Sequence, residues 1–245
     1  RLDATSYMKI ITWNCNMANK KKAEFILTHK PDILIVPECE HPDKLKFNSE
    51  TLKPNDILWF GTNQNKGLGV FSYSQYKFDL LDIHNTELKT ILPISVTGGE
   101  FDFLLFAIWA YNPEDRAFNY IGQIWKAIHY YENLLKGNPV ILAGDFNSNV
   151  IWDKLHRKSS HSMVVEKLKR FDILSTYHIH QKSTQGLEEH ATFYLYRHKN
   201  KPYHIDYCFV SADLAKKLQS VEIGEYDFWI KHSDHVPVVV TFDNT

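Results

Sequence analysis

The chain has 245 residues, with 28 Lys and Arg against 29 Asp and Glu and a formal net charge of −1. That length suits one domain with a sizeable core, and 44% hydrophobic with 23% charged residues excludes an intrinsically disordered chain. The near-neutral balance excludes bulk coating of duplex nucleic acid by positive charge, but not a local basic track.

No apolar run reaches the roughly 18 residues of a transmembrane helix, and the first six residues carry no signal-peptide core. The start lacks Met, as expected for a trimmed or processed N-terminus, with a removed leader left open. Cys15, Cys39 and Cys208 are an odd, sparse set, expected as free buried thiols in a reducing, cytoplasmic compartment. His, at 13, is the over-represented type and directs attention to a polar or metal site.

In chain order, Tyr7 to Trp13 is a β-rich run. Asn19 to His29 predicts a helix with Ala23, Phe25, Ile26 and Leu27 on its apolar face, and Pro31-Asp32 stops it. Ile33 to Val36 predicts a short buried strand, followed by strands over Ile57 to Phe60, Leu68 to Ser74, Phe78 to Ile83, Ile91 to Thr97 and Phe101 to Trp109. Arg116 to Lys136 predicts the longest helix, with Phe118, Ile121, Trp125, Ile128 and Leu135 at helical spacing and Gly137 just past its end. Val140 to Ala143 predicts a strand and Ser160 to Arg170 a helix. Strands over Thr192 to Tyr196, His204 to Val210 and Val236 to Phe242 complete the chain, with a short helix near Ala212 to Leu218. About ten strands and four helices, the strands often adjacent, predict a single α/β domain over residues 1–245. Its form is two packed mixed β-sheets flanked by helices.

Five of the strands carry polar residues at one end. The first runs into Asn14-Cys-Asn16, the second into Pro37-Glu38, and Val140 to Ala143 into Gly144-Asp145-Phe146-Asn147. His204 and Asp206 share a face by strand alternation, and Ser233-Asp234-His235 precedes the last strand. Each alone is an ordinary turn or capping group. Together, antiparallel strands that end and begin in polar groups would gather Glu38, Asp145, Asp206 and Asp234 at one edge with Asn14, Asn147 and His235. Four carboxylates in one place repel unless a cation compensates them. An oxygen-rich set with Asn and one His suits Mg²⁺ or Mn²⁺ and hence phosphate chemistry.

At these residues the chain resembles the endonuclease/exonuclease/phosphatase superfamily, which includes exonuclease III, apurinic/apyrimidinic endonucleases, deoxyribonuclease I, inositol-polyphosphate phosphatases, neutral sphingomyelinases and nocturnin-like phosphatases. The resemblance rests on Thr12-Trp-Asn14, Pro37-Glu38, Gly144-Asp-Phe-Asn147, His204-Ile-Asp-Tyr207 and Ser233-Asp-His235, and so covers nearly the whole chain. The segment Lys66-Gly-Leu-Gly-Val70 is also similar to the family's Gly-Val strand.

The resemblance implies a four-layer α/β sandwich of DNase I-like type and a phosphoester hydrolase dependent on Mg²⁺ or Mn²⁺. It implies that Asn14 orients the site, Glu38 is the principal metal ligand and Asp234 binds or neighbours metal. Asp145 would position and deprotonate the attacking water, and Asn147 would hold a phosphate oxygen or the nucleophile. Asp206 would fix the His235 tautomer, and His235 would stabilise transition-state charge.

The chain departs from the family pattern in three places. Asn16 stands where some nucleases have a second charged ligand. Trp109 stands where Tyr or His often touches phosphate, with Asn112 at the following polar position. His204 stands where Arg usually precedes the Asp of the dyad.

The loops set the substrate. Lys154 to Arg170 holds six basic residues and one acid, net +5, and directly follows the Gly-Asp-Phe-Asn loop. Lys66, Lys154, Arg157, His161 and His204 are the expected substrate contacts. Basic charge interleaved with the aromatics of His190 to Tyr196 suits a nucleic acid or nucleotide. The first expectation is a nuclease cleaving a phosphodiester. The alternative is a phosphatase or phosphodiesterase acting on a small phosphorylated metabolite, nucleotide or lipid headgroup. A catalytically dead scaffold is disfavoured, because Asp145, Asn147 and His235 are all present. No membrane span is expected, and a monomer is assumed.

Overall fold

A computed structural model of the chain describes residues 7–45, 51–155 and 158–244. The strands are β1 (Tyr7–Thr12), β2 (Ile33–Cys39), β3 (Asp56–Asn63), β4 (Lys66–Ser72), β5 (Lys77–Leu80), β6 (Ile91–Thr97), β7 (Phe103–Trp109), β8 (Val140–Asp145), β9 (Ile173–Ser175), β10 (Phe193–Tyr194), β11 (Pro202–Tyr203), β12 (Asp206–Ser211), β13 (Leu218–Ile223) and β14 (Val238–Asp243). The helices are α1 (Ala23–Leu27), α2 (Ile121–Tyr130), α3 (Glu132–Leu135), α4 (His161–Lys169), α5 (Thr176–Gln181), α6 (Ala212–Ala215) and α7 (Tyr226–Trp229).

Alternation along the strands decides the layering. In β1, Met8 and Ile10 face one way and Ile11 the other, and all three are buried. A strand apolar on both faces must lie between two packed layers. One six-stranded sheet runs β13-β14-β1-β2-β4-β3 and the other β5-β6-β7-β8-β12-β9. Each is antiparallel except for one parallel pair, β1 with β2 and β7 with β8. Their inner faces share a core that includes Ile10, Ile35 and Val240 from one sheet and Ile94, Leu105 and Ile141 from the other. On the outside of the second sheet, Ile124 and Ile128 of α2 and Val164 and Leu168 of α4 pack on Phe106 and Leu142. On the outside of the first, Ile26 of α1 and Trp229 of α7 pack on Ile11, Leu34 and Val239. The result is the expected four-layer sandwich with two mixed sheets.

Several elements differ from the sequence expectation, each for a local reason. The expected helix from Arg116 starts only at Ile121, because Tyr120 has φ 54° and ψ −120°. Residues before it are instead turned by Asp115, whose Oδ1 accepts the Phe118 N–H at 3.1 Å. Helix α4 begins one residue late, with Ser160 outside as its cap, accepting the Met163 N–H at 3.2 Å. The expected helix from Asn19 is broken into a single 3-10 turn and the short α1. Strand β13 had no expectation; it is a half-exposed edge strand on β14.

Gly144 shows how tightly the second sheet is built. It lies opposite Ile108 in the parallel β7–β8 pair, with φ 148°, and a Cβ there would sit 1.8 Å from the Ile108 carbonyl oxygen. Only glycine lets the strand carrying Asp145 approach this closely. We expect Gly144→Ala to lower unfolding free energy by about 3 kcal/mol, measured by urea denaturation.

Candidate active site

The strand ends converge as the polar pattern requires. β1, β2, β7 and β8 finish, and β12 and β14 start, at one edge of the sandwich. Antiparallel register sets Asp206 directly across from Asp145, and both are buried. Two facing carboxylates in a low-dielectric edge need a positive group. His235, from the other sheet, supplies it: its Nδ1–H donates to Asp206 Oδ2 at 2.9 Å, and its Nε2 lies 3.9 Å from Asp145 Oδ2. The second distance is too long for a hydrogen bond, but one oxygen of water or phosphate can bridge it.

Donors arranged around Asp145 fix its orientation. Asn14 Nδ2 donates to Oδ2 at 2.9 Å, Asn147 Nδ2 donates to Oδ2 at 3.2 Å, and the Asn147 N–H donates to Oδ1 at 2.8 Å. Asn14 Nδ2 also reaches Glu38 Oε1 at 3.2 Å, so one amide joins two carboxylates. Glu38 is the extra residue of a bulge between Pro37 and Cys39 and has φ 60°, a conformation that re-aims a side chain out of the ladder. Its other oxygen meets the Lys66 ammonium at 3.2 Å.

Burial raises the Asp145 carboxyl well above the usual carboxylate range. The negative charge of Asp206 adds to this, against the opposing pull of His235. For His235 burial pushes the imidazolium down, but the Asp206 and Asp145 charges and the Asp206 hydrogen bond outweigh it, and the net direction is up. A cationic imidazole thus stands beside a carboxylate whose basicity is close to neutral conditions, an arrangement suited to moving a proton onto Asp145 while holding negative charge at His235.

Asp145, Asp206 and His235 are, among the described residues, the His, Cys, Asp or Glu group whose atoms converge closely enough for a metal ion. In its cationic form both His235 nitrogens carry protons, and that form offers no lone pair to a metal. The carboxylates still exceed the one imidazolium. Asp206 Oδ1 is buried without a hydrogen-bond partner, which leaves an uncompensated acceptor on this residue. Glu38 is partly exposed at the mouth, and a hard cation fits the carboxylate oxygens of Glu38 and Asp145, which the Asn14 amide joins.

The other expected residues divide by position. Asp234 flanks the cluster, its Oδ1 3.4 Å from the Ser233 hydroxyl. Asn16 meets the site through its backbone N–H, which donates to Asn14 Oδ1 at 2.9 Å. Trp109 stacks on Tyr111, with centroids 5.2 Å apart, under the Lys66 ammonium. Asn112 turns away, its Nδ2 reaching Gln123 Oε1 at 3.3 Å and the Glu87 carbonyl at 3.4 Å. Exposed Lys154 lines a cavity shared with Asn147, while Arg157 lies outside the described residues.

His161 and His204, expected against substrate, are instead buried in a structural network. His161 Nε2–H donates to Gln185 Oε1 at 3.1 Å and its Nδ1 meets the Ser148 hydroxyl at 3.2 Å. His204 Nδ1–H donates to the His190 carbonyl at 2.7 Å, and its ring packs on Tyr177 at 4.5 Å. Strand alternation carried His204 to one face with Asp206, but His204 lies ahead of β12, where that alternation does not hold.

Sequence reasoning gave no role to the groups that brace the site. Ser233 Oγ donates to the Asn14 carbonyl at 2.8 Å and accepts the His235 N–H at 3.1 Å. Trp13 Nε1–H donates to the His235 carbonyl at 3.0 Å. Thr192 Oγ1 accepts the N–H groups of Ile205 and Asp206 at 2.9 and 3.0 Å. Trp13 and Ser233 lie inside the recognised motifs, which was their only sequence signal.

A model of the endonuclease/exonuclease/phosphatase family matches residues 11–235. No curated protein matches the sequence. Among solved structures, a 3′-5′ exonuclease, NExo from Neisseria meningitidis, is 19% identical with a TM-score of 0.64, over 96% of this chain and 100% of that one. A 3′ phosphatase NExo from Neisseria, bound to product DNA hairpin, is 20% identical with a TM-score of 0.65, over 96% and 99%. An AP endonuclease from Archaeoglobus fulgidus is 17% identical with a TM-score of 0.66, over 96% and 99%.

Burial holds His204 neutral, pulling it down from 6.5 to about 4 despite its hydrogen bond to His190. The unfolded chain therefore binds the proton first as pH falls, and stability present above about pH 6.5 is lost towards pH 4. The loss from this group is on the order of 3 kcal/mol. Urea titrations at pH 7 and pH 4 should show a correspondingly smaller drop in His204→Asn, whose amide retains a donor for the His190 carbonyl.

Proposed function

Because the chain belongs to the endonuclease/exonuclease/phosphatase family, whose members act on phosphoesters, we propose that it hydrolyses phosphodiester bonds of a nucleic acid with the help of Mg²⁺ or Mn²⁺. The buried Asp145–His235–Asp206 relay carries this reading. Asp145 takes the proton of the attacking water, with Asn14 and Asn147 holding its carboxylate in place. His235, oriented by Asp206, donates its Nε2–H to a non-bridging phosphate oxygen as charge builds there. Asn147, whose backbone N–H is already engaged by Asp145 Oδ1, has its amide beside the same carboxylate, placed to steady the nucleophile.

Glu38 would hold the divalent cation, with Asn14 and Asp145 beside it and Asp234 as a flanking charge; Lys66, now on Glu38, is a ready cation for substrate phosphate. When bound, the ion neutralises phosphate and stabilises the leaving oxygen. NExo and the AP endonuclease, described as exonuclease, 3′ phosphatase and AP endonuclease, support a DNA strand as substrate. Lys154 at the cavity beside Asn147 adds a local phosphate contact.

Labelled single- and double-stranded DNA and RNA should be cut in Mg²⁺ or Mn²⁺. The same assay should include inositol phosphates, nucleotides and bis-p-nitrophenyl phosphate. Turnover of a small ester with no polymer cut would replace the nuclease reading with the phosphatase one. EDTA should abolish cleavage and Mg²⁺ or Mn²⁺ restore it; EDTA-resistant activity would remove the metal from the mechanism. Asp145→Asn and His235→Ala should each lower kcat by about 10²–10⁴-fold, with circular dichroism confirming that both variants fold.

A further inference from the structure

We propose that Tyr111 and Tyr120, with the buried Trp109 ring stacked behind Tyr111, form a stacking platform for one unpaired nucleobase next to the scissile phosphate, an inference that rests on the nucleic-acid reading above.

The starting observation is Tyr120. The Gly122 N–H donates to the Asn119 carbonyl at 3.2 Å, closing a tight turn in which Tyr120 is the second residue. Its φ of 54° and ψ of −120° are those of the first central position of a type II′ turn, a place for glycine. A tyrosine there costs stability. The core does not recover that cost, because the residue is 44% exposed. Backbone strain retained for an exposed ring calls for a use at the surface.

The ring stands in a row. Tyr120 lies 6.2 Å from Tyr111, and Tyr111 stacks on Trp109 at 5.2 Å with planes 19° apart. The row is tied to the catalytic loop through the residue between Trp109 and Tyr111. The Ala110 N–H donates to the Asp145 carbonyl at 2.8 Å, and its own carbonyl accepts from Asn147 Nδ2 at 3.4 Å. Cations mark both ends. Lys66, on Glu38, lies 5.2 and 5.7 Å from the Trp109 and Tyr111 centroids. Lys154 lines a cavity of 130 Å³ with Tyr120 and Asn147. Trp109 and Tyr111 themselves border a cavity of 200 Å³ with Phe60 and Lys66.

Cavities this small admit one flat unit rather than a drug-sized ligand. Ring faces between two ammonium groups match a base with a phosphate on either side. A paired base has its faces covered by its neighbours in the helix, so the occupant is an unpaired nucleotide. The contacts of the row with Asp145 and Asn147 through Ala110, and with Glu38 through Lys66, place that base adjacent to the bond being cut.

The test compares binding of a fluorescein-labelled oligothymidylate with that of an abasic oligonucleotide of the same length and charge. Fluorescence anisotropy is read on the full chain in EDTA, so that no strand is cut. The wild type should prefer the oligothymidylate by about 10-fold. Tyr120→Gly should erase the preference and Tyr120→Phe should keep it. Tyr120→Gly should also unfold at no lower temperature than the wild type, since glycine relieves the turn. Equal binding of the two strands by the wild type, or a preference that survives Tyr120→Gly, overturns the platform. The nucleic-acid reading fails separately, through absence of cleavage of labelled DNA and RNA by the wild type in Mg²⁺ or Mn²⁺.

Discussion

Two carboxylates, Asp145 and Asp206, face each other across a buried antiparallel pair. Water cannot reach them to screen their repulsion, so the sheet edge favours a cation between them or a proton on one of them. His235 supplies that cation from the opposite sheet. The same contact therefore does three things. It balances charge, it clamps the two sheets at one edge, and it sets the imidazole 3.9 Å from Asp145 Oδ2. Asn14 repeats the clamp from the first sheet to Asp145.

The backbone around this clamp is strained in a consistent pattern. Asn16, Met17 and Ala18 follow one another with positive φ, and Glu38 and Asn147 share that region. Asn accepts it readily, whereas Met, Ala and Glu do so at a cost of roughly 1 kcal/mol or more each. The surrounding bonds over-determine these conformations. Lys22 Nζ donates to the Cys15 and Met17 carbonyls at 2.6 and 2.9 Å, pinning the loop after Asn14. The bulge at Glu38 lets a strand of buried apolar residues end in a carboxylate that faces the site. The aromatic row from Trp109 to Tyr120 sits on the same rim and shares this economy of short, rigid connections.

What the sequence shows and hides follows from the range of each signal. Asn14, Glu38, Asp145, Asp206 and His235 were legible because each is attached to a buried strand end, and strand ends of opposed direction meet. The four layers were legible because strands apolar on both faces alternate with amphipathic helices. Edge strand β13 was hidden, since Gln219, Ser220 and Glu222 interrupt its apolar residues. The late start of α2 was hidden as well: nothing in the spacing of Phe118 and Ile121 reveals that Tyr120 adopts a glycine conformation. His161 and His204 misled because composition marks a histidine as polar without saying whether its partners are substrate or Gln185, Ser148 and the His190 carbonyl. Net charge misled in the same way: net +5 over Lys154 to Arg170 and net −4 over Glu222 to Thr245 nearly cancel in a total of −1.

The pairing of β1 with β14 carries a consequence for how the protein is made. Trp13 and His235 are joined by a hydrogen bond across 222 residues of chain, and β1 lies between β2 and β14 in the centre of its sheet. A ribosome releases Asn14 early and His235 late, at about 5–20 residues per second. Until β14 emerges, Asp145 and Asp206 have no imidazolium between them and the central strand lacks one neighbour. The emerging chain thus lacks the Asp145–His235–Asp206 cluster until its last segment docks, so the site is assembled only at the end of synthesis.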